Sequence, residues 1–159
     1  EIAQCLVGSE MCIRDSTHAH QLAASLVFYS PLQTIFWYDN PDLYGGEPEI
    51  EWFEKLQTTF DDSKVIDGYP GKGITIARRK GDNWWLGCLT NNEGEKKEIP
   101  LDFLPEGKKY KAEIYTDGGE KVKTKTQVAV NSKRVSNKDI LKFDIKPRGG
   151  VAIYLTPVE

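Results

Sequence analysis

The hydrophobic period changes near Thr58, and this change constrains the fold more than any other feature of the chain. From there to the C-terminus, apolar residues alternate with polar ones in short runs. These runs are separated by sequences typical of turns, such as Gly81–Asn83 and Asp117–Gly119. Side chains two residues apart on an extended chain share one face, so each run is typical of a strand with one buried side. About seven or eight such strands predict an antiparallel β-sandwich over residues 58–159.

The apolar runs give the approximate positions of the strands. They are Ile74–Ile76, Trp84–Thr90, Ile99–Phe103, Tyr110–Ile114, Val122–Val130, Leu141–Ile145 and Val151–Leu155. The simplest explanation for the lysines between Lys121 and Lys146 is that they lie on the surface and on edge strands, because charged edge strands resist pairing with another sheet. Cys88 lies inside an apolar run, so we expect it to be a buried small hydrophobe.

Residues 17–57 show a different pattern, which predicts a helix, a short strand and a second helix. Thr17 is a typical N-cap for a helix that reaches Tyr29, and Pro48 suits the first turn of a helix that reaches Leu56. The acidic residues at the start of that second helix are explained by the helix dipole: Glu47, Glu49 and Glu51. The apolar run 32–37 between the helices predicts a buried strand. One parallel strand needs neighbouring strands, so residues 17–57 are expected to be the last segment of a (β/α)8 barrel.

Residues 1–16 have a separate origin in our interpretation. One reading frame of a transposase sequencing adapter encodes the segment Met11–Ser16, and Cys5–Glu10 match the flanking primer. We therefore interpret residues 1–16 as a sequencing-adapter artefact and expect the native sequence to start near Thr17. The fold class that follows is mainly β, an antiparallel β-sandwich preceded by an αβα remnant of a barrel.

Charge and hydropathy argue against two classes of partner. The formal net charge of −3 gives no broad cationic field, which does not favour nucleic acid binding. The most apolar window, Gln21–Trp37, is interrupted by polar residues and a proline, so we expect no membrane span.

Short motifs in nearly all of residues 17–159 resemble glycoside hydrolase family 97, at its C-terminal end. They occur in the order of that family and are Ala19–Ala23, Tyr29–Gln33, Phe36–Asp39, Gly46–Glu49, Val65–Gly68, Ile76–Asp82, Trp84–Gly87, Pro100–Leu104, Tyr110–Tyr115 and Gly149–Gly150. The resemblance implies an enzyme with an N-terminal β-super-sandwich, a central barrel that hydrolyses α-glycosidic bonds, and a C-terminal β-sandwich described as an oligomerisation module. The form of Phe36–Asp39 is closer to the retaining, α-galactosidase-like branch.

The same resemblance limits the chemistry expected of this chain. The catalytic carboxylates and the calcium-ligating glutamates of the family lie upstream of His18, so no catalytic residue, metal ligand or cofactor is assigned here, although the parent family is often calcium-dependent. The expected partners are the rest of the catalytic barrel and a second copy of the chain. The parent protein is expected to be periplasmic or secreted.

Trp37 and Asp39 are the candidate substrate-binding residues, because they lie at the carboxyl end of the predicted barrel strand, where active sites form. Trp37 could stack on a sugar face, and Asp39 could accept hydrogen bonds from hydroxyl groups. The structural alternatives are barrel packing for Trp37 and an Asx turn before Asn40-Pro41 for Asp39.

Two further pairs have structural explanations that we favour. His18 and His20 lie at a helix start, where capping or packing explains them better than a metal site, for which further ligands are missing. Trp84 and Trp85 point to opposite faces of one strand, so one should lie in the core. The other could pack on a neighbouring domain, which we favour, or bind sugar.

These observations leave three hypotheses for function. We favour a non-catalytic C-terminal part of a bacterial α-glycosidase, in which the sandwich supports the barrel or mediates oligomerisation. The alternatives are a carbohydrate-binding module and a self-sufficient hydrolase. Under the favoured hypothesis we expect residues 58–159 alone to be more soluble than the longer chain, because residues 17–56 would expose apolar surface.

Overall fold

The computed structural model of the chain describes residues 16–33 and 45–158. Two α-helices come first, α1 (His18–Val27) and α2 (Glu51–Lys55), and a 3-10 turn at Pro48–Ile50 leads directly into α2. The strands that follow are β1 (Asp62–Tyr69), β2 (Gly73–Lys80), β3 (Asn83–Thr90), β4 (Glu95–Pro100), β5 (Lys109–Asp117), β6 (Val128–Ser136), β7 (Ile140–Ile145) and β8 (Gly150–Val158). The prediction of a mainly β fold is confirmed.

The strands form two antiparallel sheets that face each other. The large sheet has the order β1-β2-β3-β8-β5-β6, and β4 pairs with β7 in a small sheet. Apolar side chains from both sheets fill the space between them, among them Trp84, Leu86, Ile99, Tyr110, Leu141 and Ile153. The antiparallel sandwich predicted from the period of two is therefore present, with unequal sheets.

Strand β3 lies in the middle of the large sheet and is buried on both faces. Its even-numbered residues, including Trp84, point into the core between the sheets, while Trp85 and Leu89 point to the opposite face. At Gly87, an added Cβ would lie 2.9 Å from the backbone oxygen of Ala23 in α1. Glycine at this position therefore allows a helix backbone to approach the sheet closely.

Helix α1 forms a third layer on that opposite face. Its buried residues are Ala19, Leu22, Ala23, Leu26 and Val27. The Thr17 hydroxyl accepts a hydrogen bond from the backbone N–H of His20 at 3.1 Å, which confirms the predicted N-cap. The helix ends at Val27, two residues before the predicted Tyr29, and the exposed Phe28 is its C-cap.

The predicted strand 32–37 lies mostly outside the described residues, as do Trp37 and Asp39. Residues 31–33 are described and do not form a strand. The second predicted helix is present in a shorter form, since a 3-10 turn occupies Pro48–Ile50 and α2 ends at Lys55.

Two predicted strand boundaries are wrong. Residues 122–127 are irregular, and β6 begins only at Val128. The reason is that Gln127 has a positive φ of 53° and its N–H donates to the Thr124 carbonyl at 3.2 Å, so a turn interrupts the extended backbone just before β6. Leu101 and Phe103 alternate like strand residues but lie in a turn after β4, where both are still buried.

Candidate functional site

The residues before β1 contact the large sheet over an extended apolar surface, which we call the helix–sheet interface. On one side it includes the buried face of α1 and Trp52 of α2; on the sheet it includes Ile76, Trp85, Leu89, Tyr115, Val128 and Ala152. Burial of this many apolar side chains supplies the main favourable free energy for holding the helices on the sheet.

Aromatic rings fill the centre of this interface. The Trp52 ring packs edge-on against Tyr115, with 5.6 Å between the ring centroids, and its Nε1 donates to the Ser25 hydroxyl at 3.0 Å. Trp85 lies 5.5 Å from Phe60 and 5.0 Å from Tyr154, again measured between centroids. Trp52 thus links α1, α2 and the sheet.

The two strand tryptophans of β3 are both buried. Trp84 is 3% exposed in the core between the sheets, and Trp85 is 1% exposed in the helix–sheet interface. One tryptophan therefore lies in the core, as predicted, and the other packs against the helical segment and Phe60. The predicted contact with a neighbouring domain stays a prediction. Neither presents a ring to solvent, so the hypothesis that one of them binds sugar is wrong.

Arg78 of β2 binds the C-terminal end of α1. Its Nε donates to the Leu26 carbonyl at 3.0 Å and one terminal nitrogen donates to the Val27 carbonyl at 3.4 Å. The guanidinium also lies over the Tyr29 ring, 4.9 Å from its centroid. The last carbonyls of a helix lack partners within the helix and carry partial negative charge, so a guanidinium is well suited to this position.

Lys55 connects α2 to β5 by charge. Its Nζ lies 2.6 Å from a Glu113 carboxylate oxygen and 2.8 Å from Glu51. Burial alone would lower the pKa of Lys55, but the hydrogen bonds to Glu113 and Glu51 outweigh burial and raise the pKa. The pair therefore remains charged and fixes α2 against the sheet.

Buried polar groups lie near the N-terminal end of α1. Glu49 is fully buried and accepts a hydrogen bond from the Thr126 hydroxyl, and Glu47 is also buried and accepts one from the Gly45 N–H. Glu49 and Glu51 lie in the first turns of the 3-10 segment and of α2, in agreement with their predicted positions, and Glu47 is the N-cap residue before the 3-10 segment. The interaction of these glutamates with the helix dipole stays a prediction. The hydrogen bond from Thr126 places the loop 122–127 against Glu49.

His18 and Asp117 lie beside these glutamates, on a pocket of about 140 Å³. Burial lowers the pKa of His18, although Glu49 and Asp117 oppose this effect. Burial raises the pKa of Asp117 against the opposing hydrogen bonds from Thr17 and Gly150. Burial dominates both shifts, which is typical of groups enclosed where two structural elements meet.

The described residues do not provide a metal site. No group of three or more His, Cys, Asp or Glu side chains in residues 16–33 and 45–158 is arranged to hold an ion. The His20 ring nitrogen Nδ1 lies 3.1 Å from the Gly149 carbonyl, in agreement with the packing role expected for it. The described residues therefore offer no set of ligands for the calcium that the resemblance implies for the parent family.

Cys88 is fully buried in the core between the sheets, as predicted. Burial raises the pKa of its thiol, although a hydrogen bond from Thr75, with 3.2 Å between Oγ1 and Sγ, partly opposes this effect. A buried neutral thiol is a poor nucleophile, so Cys88 has a packing role.

A shallow groove of about 580 Å³ lies between α1 and the β1–β2 hairpin, and we call it the β1 groove. Its apolar lining comes from Phe28, Val65, Tyr69, Ile74 and Leu89. Of these, Phe28, Val65 and Tyr69 are 72%, 69% and 67% exposed.

Neither α-helix among the described residues combines the length and the apolar character needed to cross a membrane.

Sequence reasoning missed three residues that organise the helix–sheet interface: Trp52, Arg78 and Glu49. Trp52 could have been found, because a tryptophan in an amphipathic helix is commonly buried. Arg78 and Glu49 gave no local signal, since their partners lie 51 and more residues away in the sequence. The candidate substrate-binding residues Trp37 and Asp39 lie outside the described residues.

Comparison with known proteins identifies the sandwich. Residues 59–156 match the family model described as glycosyl-hydrolase 97 C-terminal, oligomerisation. The chain is 34% identical over 140 residues to a retaining alpha-galactosidase of Bacteroides thetaiotaomicron, covering 87% of this chain and 21% of that protein. It is 26% identical over 87 residues to a probable retaining alpha-galactosidase of Streptomyces bingchenggensis, covering 54% and 13% respectively.

The fold agrees with a solved structure of the same family. A glycoside hydrolase family 97 enzyme from Pseudoalteromonas sp. strain K8, in complex with acarbose, superposes with a TM-score of 0.80 and 31% identity, over 91% of this chain and 23% of that one. The chain thus spans about a fifth of the length of these relatives. On the match of residues 59–156 to the family model, the chain belongs to glycoside hydrolase family 97 and carries its C-terminal oligomerisation domain.

Proposed function

We propose that this chain is the non-catalytic C-terminal part of an enzyme that hydrolyses α-glycosidic bonds with retention, most closely an α-galactosidase. In that role the sandwich has two tasks. It holds the helical segment at the end of the catalytic barrel, and it brings copies of the enzyme together.

The helix–sheet interface carries the first part of this proposal. Leu22 and Leu26 of α1 and Trp52 of α2 are fully buried against the sandwich. In addition, Arg78 and Lys55 fix the end of α1 and the body of α2 by hydrogen bonds and charge. A sheet face so specifically fitted to two helices is suited to anchoring the structural unit to which they belong.

The similarity to retaining alpha-galactosidases supports the reaction class. Within the intact enzyme, Trp37 and Asp39 are our candidates for contacts with the sugar. The resemblance alone supports a periplasmic or secreted location. No pair of opposed carboxylates is assigned to catalysis in the described residues, so hydrolysis is attributed to another part of the enzyme.

A turnover assay tests this role directly. The purified 159-residue chain is incubated with nitrophenyl α-galactoside and, separately, nitrophenyl α-glucoside. We expect no release of nitrophenol above the rate in buffer, while sedimentation velocity shows self-association as concentration rises. Enzyme-concentration-dependent turnover would contradict the non-catalytic role. Retardation in gels that contain soluble α-glucan or galactomannan would instead favour a carbohydrate-binding module.

A further inference from the structure

We draw no further inference here: the strongest candidate, the β1 groove with the exposed side chains of Phe28, Val65 and Tyr69, is an apolar surface for which nothing in the described residues shows what covers it.

Discussion

Leu22 in α1 allows a quantitative test of whether the helix–sheet interface is part of the fold. The side chain is fully buried between the helix and the large sheet. Leu22→Ala removes its apolar contacts and leaves a cavity that a six-stranded sheet cannot readily close. Buried Leu→Ala substitutions cost about 2–5 kcal/mol, and we expect about 3 kcal/mol here. With a urea m-value of about 2 kcal/mol/M, the unfolding midpoint should fall by about 1.5 M.

Leu32→Ala is the matched control, since Leu32 is 88% exposed and its substitution should change stability by less than about 0.5 kcal/mol. Urea unfolding is followed by tryptophan fluorescence, to which Trp52 and Trp85 contribute from the interface, and by far-UV circular dichroism, which reports the sheets. If Leu22→Ala leaves the circular dichroism midpoint at the wild-type value, α1 is not energetically part of the sandwich and the reasoning fails.

Three further predictions concern the same interface. Arg78→Lys should cost about 1–2 kcal/mol and speed hydrogen exchange in the last turn of α1, whereas Arg79→Lys on the same strand should do neither. The pKa of Asp117 is higher in the folded chain than its unfolded value of about 3.9, so protonation of Asp117 stabilises the fold. This stabilisation is complete at a pH below the unfolded pKa and is lost as the pH rises through the folded pKa. Asp117→Asn should remove that slope from urea midpoints measured between about pH 4 and about pH 7. Removal of residues 1–57 should uncover Trp85 and Tyr115, so the shorter chain should bind the dye ANS and aggregate. This is the opposite of the outcome expected from the sequence. A shorter chain that is soluble and melts cooperatively would contradict the prediction.

The sandwich could be predicted because its information is local. Alternation of apolar and polar residues places Tyr110, Ala112 and Ile114 on one face of β5, and all three are buried in the core between the sheets. The same reasoning gave the opposite orientations of Trp84 and Trp85. It failed at residues 122–127, where alternation is present but the Thr126 side chain is committed to Glu49, 77 residues earlier in the chain. A local pattern does not report a partner that distant.

The helix–sheet interface shows why a boundary in sequence pattern need not be a boundary in packing. The period changes near Thr58, yet the residues that cover Trp85 lie on both sides of that point, with α1 before it and Phe60 after it. Gly87 is consistent with this arrangement, since any side chain there would collide with the α1 backbone. A strand that is apolar on both faces, as β3 is, requires a cover on each face. In this chain the small sheet covers one face and the helical segment covers the other. We therefore expect the stability of the sandwich to depend on residues whose sequence pattern predicts a different unit.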